Sequence, residues 1–149
     1  MRAVVQRVFK ARVIVNNQVV GAINRGLVAF IGAGKDDTDS DIETVASKIA
    51  NLRVFEDDRG KMSRSITDES GSLLAISQFT VFGDVRRGRR PSFDGAMEPI
   101  GARRLFESLI ANISARGIHV SSGQFGADMR VDVCNDGPVT ILIDSRKTF

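Results

Sequence analysis

The most restrictive feature of this sequence is a long stretch of alternating side chains at its amino terminus. In the segment AVVQRVFKARVIV, residues 3–15, positions 5, 7 and 9 fall on one side and positions 4, 6 and 8 on the other. A period of two is typical of a β-strand. Asn16 and Asn17 then predict a turn, because asparagine tolerates a positive φ, and the segments QVVGAI and GLVAFIGAG predict two more strands. We therefore expect an antiparallel meander whose third, more apolar strand is buried deepest.

The segment that follows changes to a helical period. Residues 42, 45, 46 and 49 are apolar and have the i, i+3, i+4 and i+7 spacing of one helix face. The acidic run 36–43 is interpreted as a favourable charge at a helix start rather than as a metal loop, and one of residues 38–40 can cap that helix. A second helix is predicted to begin at Pro99 and to end near Gly117. Its inward face comprises Ala102, Leu105, Phe106, Leu109, Ile110 and Ile113.

The rest of the chain is predicted to be strand and loop. Leu73 to Val81 indicates a buried strand, and from Gly83 onward the chain becomes a loop rich in Gly, Arg and Pro. Further on, two apolar runs flank residues 135–138, which predicts a hairpin whose turn contains an X-Pro bond. A length of 149 residues suits one domain. We therefore expect residues 1–149 to form a single α+β domain, an antiparallel-rich, two-layer or barrel-like β assembly with two helices packed on one face.

Composition excludes several classes of site. With one cysteine, Cys134, and one histidine, His119, the chain has no intrachain disulfide and no cluster of soft zinc ligands. His119 is interpreted as structural and Cys134 as a small hydrophobe rather than a catalytic thiolate. The segment GAGKDDTD lacks the spacing of a phosphate-binding loop, so no nucleotide, metal or other cofactor is expected. The uncharged stretches are too short to span a bilayer, and we expect a soluble, cytoplasmic protein.

The positive charge of the chain is concentrated in one segment. The net charge is +3, and Arg86, Arg87, Arg89 and Arg90 lie within five consecutive positions. Without these four positive charges the net charge would be −1. Such a segment indicates a localised anionic partner, a polyphosphate or a nucleic acid. A solvated loop without a partner is the alternative, and the charges alone do not decide between them.

Two polar segments stand at the ends of apolar strands. Residues 77–80, Ser-Gln-Phe-Thr, interrupt an otherwise apolar stretch, and residues 135–140 read Asn-Asp-Gly-Pro-Val-Thr. Polar groups in a buried strand cost stability unless they are paired, so their presence suggests a use. The alternative is that Ser77 and Thr80 satisfy backbone groups at a sheet end and that Gly137 and Pro138 only form a tight turn.

Four ordered motifs carry a resemblance to a known family. They are SQFTV at 77–81, GRRPSF at 88–93, GQFGADM at 123–129 and NDGPVT at 135–140, and they follow the opening MRAVVQRVFKARV. Together they closely resemble the D-aminoacyl-tRNA deacylases of the bacterial and eukaryotic type, from Met1 to about Asp144. The chain departs from that pattern at Val81, where leucine is expected, at Arg89, where methionine is common, and in the terminal segment SRKTF.

The resemblance implies an activity and an assembly. Members hydrolyse the ester between a D-amino acid and the terminal ribose of tRNA, and they also release glycine from mischarged tRNA. They are homodimers that act on the tRNA acceptor end without metal or cofactor, and no DNA or membrane partner is implied. Each pocket would lie at the dimer interface. One subunit would contribute Ser77, Gln78, Phe79, Thr80, Phe125 and Met129, and the partner subunit would contribute Gly137 and Pro138, joined by a cis peptide bond.

Several alternatives stay open within this resemblance. The ribose hydroxyl beside the ester can orient or activate water, with backbone N–H groups around residues 78–80 as donors to the oxyanion; Thr80 as a covalent nucleophile is the competing route. Gly137 and Pro138 are expected to exclude an L side chain sterically, and the arginines of 86–90 to contact acceptor-stem phosphates. A noncatalytic RNA-binding module and a deacylase with a trans Gly137–Pro138 bond are further alternatives.

Overall fold

The alternating amino-terminal segment forms one long strand that organises the sheet. The computed structural model describes residues 1–148. Its strands are β1 (Arg2–Val15), β2 (Gln18–Ile23), β3 (Gly26–Gly32), β4 (Phe55–Glu56), β5 (Met62–Arg64), β6 (Ser72–Ser77), β7 (His119–Ser122) and β8 (Arg130–Asp144). Its helices are α1 (Asp39–Asn51) and α2 (Pro99–Ala115), and a 3-10 turn spans Phe79–Phe82. The α+β prediction is confirmed.

The main sheet has β1 at its centre. One edge of β1 pairs with β8; along the other edge, residues 2–8 pair with β3 and residues 11–15 with β2. β3, β6 and β7 continue the sheet in parallel. The Ser121 hydroxyl on β7 donates to the Ala22 carbonyl on β2 across 3.1 Å, so the sheet is nearly closed into a barrel.

The predicted meander is wrong in one respect. The turn at Asn16 and Asn17 forms, with φ of 49° and 63°, and β3 is the most deeply buried of the first three strands. However, β3 pairs with β1 and not with β2. The reason is the difference in length between the strands. β1 has 14 residues and β2 has six, so β2 pairs with only one half of that edge of β1 and the other half pairs with β3.

The predicted carboxyl-terminal hairpin is also wrong. Residues 130–135 and 140–144 both pair with β1 in the same antiparallel direction, so the two apolar runs are halves of one strand, β8. Residues 136–139 form a bulge between them. The Asn135 side chain closes this bulge, because its amide accepts from the Val139 N–H at 3.2 Å and donates to the Val139 carbonyl at 3.1 Å. The Gly137–Pro138 peptide bond in the bulge is cis.

The two helices pack together on one face of the sheet, as predicted. The stripe of residues 42, 45, 46 and 49 on α1 is buried, and four of the six predicted inward residues of α2 are fully buried. Thr38 is the N-cap of α1, where its backbone N–H donates to the Asp41 carboxylate at 2.8 Å. Among the described residues, no helix is long and apolar enough to cross a bilayer.

The strand predicted from Leu73 to Val81 ends earlier than expected. β6 stops at Ser77, and the chain turns back through the 3-10 turn over the end of β3. Gly32 permits this close approach, because a Cβ atom at that position would lie 2.5 Å from a methyl group of Val81. The interpretation of Cys134 as a buried hydrophobe is wrong as well: its side chain lies on an exposed position of β8.

Candidate active site

The end of β6, the loop before β8 and the start of α2 enclose a cleft of about 690 Å³. Six of the residues predicted for a site line this cleft: Ser77, Gln78, Phe79, Thr80, Phe125 and Met129. The structure therefore brings together two motifs that are more than 40 positions apart in the sequence. Gly137 and Pro138 do not line the cleft of their own chain.

The floor of the cleft is formed by the turn from β6 into the 3-10 segment. The backbone N–H of Gln78 donates to the Ile31 carbonyl at 2.7 Å, so this N–H is used within the sheet. Phe79 and Thr80 begin the 3-10 turn, and N–H groups at a helix start have no acceptor inside the helix. The side-chain amide of Gln78 donates to the Thr80 hydroxyl at 2.9 Å. Of the N–H groups at 78–80, only those of Phe79 and Thr80 therefore have no hydrogen-bond acceptor among residues 1–148, and the oxyanion role stays a prediction for these two.

The cleft offers little for protein-based proton transfer. Of the described residues that line it, Asp128 is the only carboxylate and none is a histidine. His119 starts β7, as predicted, and is exposed outside the cleft. Sequence analysis quoted Asp128 within GQFGADM but assigned it no role. The described part of the cleft can therefore position a ligand but has no histidine to act as a base.

Aromatic side chains form the walls of the cleft. The Phe125 ring packs against Phe106 of α2, with centroids 6.1 Å apart. The Phe79 ring, 57% exposed, meets Phe93 edge to face at 5.0 Å and 73°. Phe93 belongs to the motif GRRPSF, and its contact joins the arginine segment to the cleft. Sequence analysis did not single out this ring, because its partner is 14 positions away and a loop follows no periodicity.

The bulge of β8 is held by a buried arginine that sequence analysis placed on a strand face without a role. Arg7 is only 5% exposed. Its Nε atom lies 3.1 Å from the Asp136 carboxylate and its Nη1 atom donates to the Val54 carbonyl. Gly137 and Pro138 are exposed beside this pair, and Gly137 has a φ of +124° that L side chains rarely adopt. The available signal was an arginine whose two neighbours on the same side of the alternating strand, Val5 and Phe9, are apolar.

The four clustered arginines are exposed on a loop that is closed by backbone hydrogen bonds. Asp84 and Ser92 exchange N–H donors at 2.7 and 2.9 Å. Arg86 pairs with the Asp84 carboxylate at 2.6 Å, and hydrogen bonds from the Arg86 side chain and backbone lower the pKa of Asp84 to about 2. The other three arginines form no ion pair with residues 1–148. They are therefore available to an anion.

Comparison with known proteins decides the family. The sequence model described as D-Tyr-tRNA(Tyr) deacylase matches residues 4–144. The chain belongs to this family. A D-aminoacyl-tRNA deacylase of Sorangium cellulosum is 67% identical over 150 residues, covering all of both chains. A D-aminoacyl-tRNA deacylase of Thermotoga petrophila is 52% identical, again over the full length of both.

Solved structures place this deacylase-family chain in a known fold. The structure named "c-Myc DNA Unwinding Element Binding Protein" superimposes with a TM-score of 0.92 at 40% identity, over 97% of this chain and 98% of the other. A structure titled "Structural Analysis of a probable eukaryotic D-amino acid tRNA deacylase" has a TM-score of 0.84 at 18% identity, over 95% and 97% of the two chains, and shows the fold alone. The resemblance drawn from the four motifs is confirmed.

Proposed function

We propose that this chain hydrolyses the ester of D-aminoacyl-tRNA and releases the free D-amino acid and intact tRNA. The observation that carries this is the cleft: two distant family motifs line one largely apolar pocket, and the lining among residues 1–148 includes the start of a 3-10 turn and no histidine. Full-length identity of 67% to a D-aminoacyl-tRNA deacylase supports it. The direct test incubates the purified chain with D-tyrosyl-tRNA. Release of D-tyrosine above the enzyme-free rate is expected, and no release would refute the activity.

Catalysis is proposed to use the RNA itself. An aminoacyl ester is already activated, and the ribose hydroxyl beside it can orient or activate water while the Phe79 and Thr80 N–H groups stabilise the oxyanion. The Thr80 hydroxyl accepts a hydrogen bond from Gln78, and no histidine lines the cleft to take its proton. A tRNA ending in 2′-deoxyadenosine should therefore be a poor substrate, whereas Thr80→Ala should keep substantial activity. The reverse result would favour Thr80 as a nucleophile.

Selection by handedness is proposed to need a second copy of the chain. Gly137 and Pro138 are exposed on a bulge that Asn135 and Arg7 hold in place, and they lie outside their own cleft. In a homodimer this pair would enter the cleft of the partner subunit and block an L side chain at the α-carbon. Hydrogen at that position would pass, so glycyl-tRNA should also be hydrolysed.

Gly137→Ala tests this selection. The substitution places a Cβ atom 2.8 Å from Val139 at a backbone angle unsuited to alanine, so the bulge must shift. Hydrolysis of L-tyrosyl-tRNA is expected to rise relative to D-tyrosyl-tRNA. Unchanged discrimination in a variant that stays folded and dimeric would contradict the proposed selection.

The arginine segment is proposed to contact acceptor-stem phosphates without reading sequence. Three of its guanidinium groups are exposed and without carboxylate partners among residues 1–148. In a plot of log affinity against log salt concentration, each contact with a phosphate of a duplex makes the negative slope steeper by roughly 0.9. Affinity for tRNA should fall steeply with salt, and substitution of two of these arginines should flatten the dependence. A salt-insensitive complex would contradict this role.

A nucleic-acid-binding protein without deacylase activity is the second candidate. It is favoured by the exposed arginine segment and by the 40% identical structure, whose name refers to binding a DNA element. Binding without hydrolysis of D-tyrosyl-tRNA would select this candidate. Hydrolysis would reject it.

A further inference from the structure

Arg103 is a cation at the edge of the cleft with no role in the proposed hydrolysis. Its guanidinium carbon lies 5.1 Å from the centroid of the Phe125 ring, and Phe125 lines the cleft. Arg103 is exposed and forms no ion pair with any of residues 1–148. Its neighbour Arg104, by contrast, pairs with Asp39 at 3.0 Å. Of these two adjacent arginines of α2, Arg104 is therefore paired with a carboxylate among residues 1–148 and Arg103 is not.

The position of Arg103 follows from the packing of α2. Ala102 and Phe106 of this helix both line the cleft, so residue 103 lies at its rim. The Phe125 ring packs against Phe106 and is also covered by the Arg103 guanidinium. A guanidinium that rests on an aromatic ring is held in orientation and keeps its N–H donors free at its edge. This orders the cation before any ligand arrives.

The proposed substrate carries a negatively charged phosphodiester close to the ester. The ester lies on the terminal ribose of the RNA, and the same ribose carries a phosphodiester on its 5′ oxygen. When the aminoacyl group occupies the cleft, that phosphodiester must lie at the cleft rim, one nucleoside away from the ester. Arginine binds phosphate through two parallel N–H donors, a geometry that fixes orientation as well as position.

We propose that Arg103 is a positioning residue that binds the terminal phosphodiester at the 3′ end of the RNA. The proposal rests on the proposed function. It assigns Arg103 a task separate from that of the 86–90 segment, which would hold phosphates further along the acceptor stem. Arg103 would fix the terminal nucleoside and so place the ester over the Phe79 and Thr80 N–H groups.

The test compares Arg103→Ala with Arg104→Ala on two substrates. One is D-tyrosyl-tRNA, and the other is the D-tyrosyl ester of adenosine, which has the ribose and the ester but no phosphate. For D-tyrosyl-tRNA, Arg103→Ala is expected to lower kcat/KM by about ten-fold, chiefly through KM, as for a lost hydrogen bond to a charged group. For the adenosine ester, Arg103→Ala should change kcat/KM by less than two-fold, which corresponds to about 0.4 kcal/mol. Arg104→Ala should leave both substrates unchanged.

Each other pattern overturns the proposal. Equal losses on both substrates would mean that Arg103 only supports the Phe125 wall. No loss on either would mean that it does not contact the RNA, as when a carboxylate of a partner subunit neutralises it. Arg103→Lys should recover part of the loss on tRNA, because the charge remains while the planar fork is lost.

A binding measurement keeps the proposal separate from the activity. If the wild-type chain hydrolyses neither substrate, the proposed function fails. The binding of uncharged tRNA then shows whether Arg103 contacts the RNA. Arg103→Ala should weaken this binding and reduce the salt slope by about 0.7, the value for a single-strand phosphate. Equal binding by Arg103→Ala, Arg104→Ala and the wild type would overturn the contact.

Discussion

Replacing Arg7 by methionine should destabilise the protein strongly, although the side-chain hydrogen bonds and ion pairs of Arg7 with residues 1–148 involve no residue that lines the cleft. Methionine keeps the length of the side chain and removes the guanidinium. The Val54 carbonyl then loses its donor, which costs about 1–3 kcal/mol for a buried group. The Asp136 carboxylate loses its partner as well. Breaking a buried ion pair costs about 3–5 kcal/mol, and this carboxylate keeps 16% of its surface exposed. Because the pair is partly exposed we take the low ends of these two ranges, which add up to an expected loss of about 4 kcal/mol.

Urea unfolding measures this loss. With an m-value of about 2 kcal/mol/M, a loss of about 4 kcal/mol lowers the urea midpoint by roughly 2 M. Arg12→Met is the matched control, because Arg12 pairs with Asp132 across the same two strands at 2.8 Å but is 55% exposed. Exposed pairs contribute about 0–1 kcal/mol. Equal midpoints for the two variants would refute the assignment of Arg7 as the support of the β8 bulge.

Three further predictions concern other parts of the molecule. Arg89→Ala should weaken tRNA binding and reduce the salt dependence of that binding more than Arg86→Ala does, because the Arg86 guanidinium is already paired with Asp84. Equal effects of the two substitutions in a filter-binding titration would contradict this. In an NMR titration the Asp84 carboxyl should protonate near pH 2, and Arg86→Met should return its pKa toward 3.8. Because the pKa is lowered on folding, the stabilisation from this pair is complete above the unfolded pKa and is lost as the pH falls through about 2. Leu109→Ala, at a fully buried position of α2, should cost about 2–5 kcal/mol in urea unfolding with a change in midpoint and not in m-value.

Turns and helices could be predicted from the sequence where a single residue type or a single hydrophobic periodicity determines them. The turn at Asn16 and Asn17 follows from two residues that tolerate a positive φ, and both helices follow from apolar stripes with recognisable starts at Thr38 and Pro99. The residues of the cleft could be found because they belong to short motifs. Their grouping in space required the family resemblance, since residues 77–80 and 125–129 share no local periodicity.

The errors arise where pairing between distant strands decides the structure. Asn135 to Pro138 have the composition of a hairpin turn, yet β1 is long enough to pair with both flanking runs, and so the chain continues in one direction. Phe79 looks like a buried strand residue, but the approach of the 3-10 turn to Gly32 places it on the surface. Arg7 looked like one member of an alternating strand, because its partners Val54 and Asp136 are 47 and 129 positions away.

We propose that this cleft, completed by a second copy of the chain, removes D-amino acids and glycine from tRNA and spares L-amino acids. The decisive measurement is the initial rate of hydrolysis of D-tyrosyl-, L-tyrosyl- and glycyl-tRNA on one preparation of the wild-type protein. We expect the D and glycyl esters to be cleaved well above the enzyme-free rate and the L ester not to be. Hydrolysis of the L ester as fast as the D ester would contradict it.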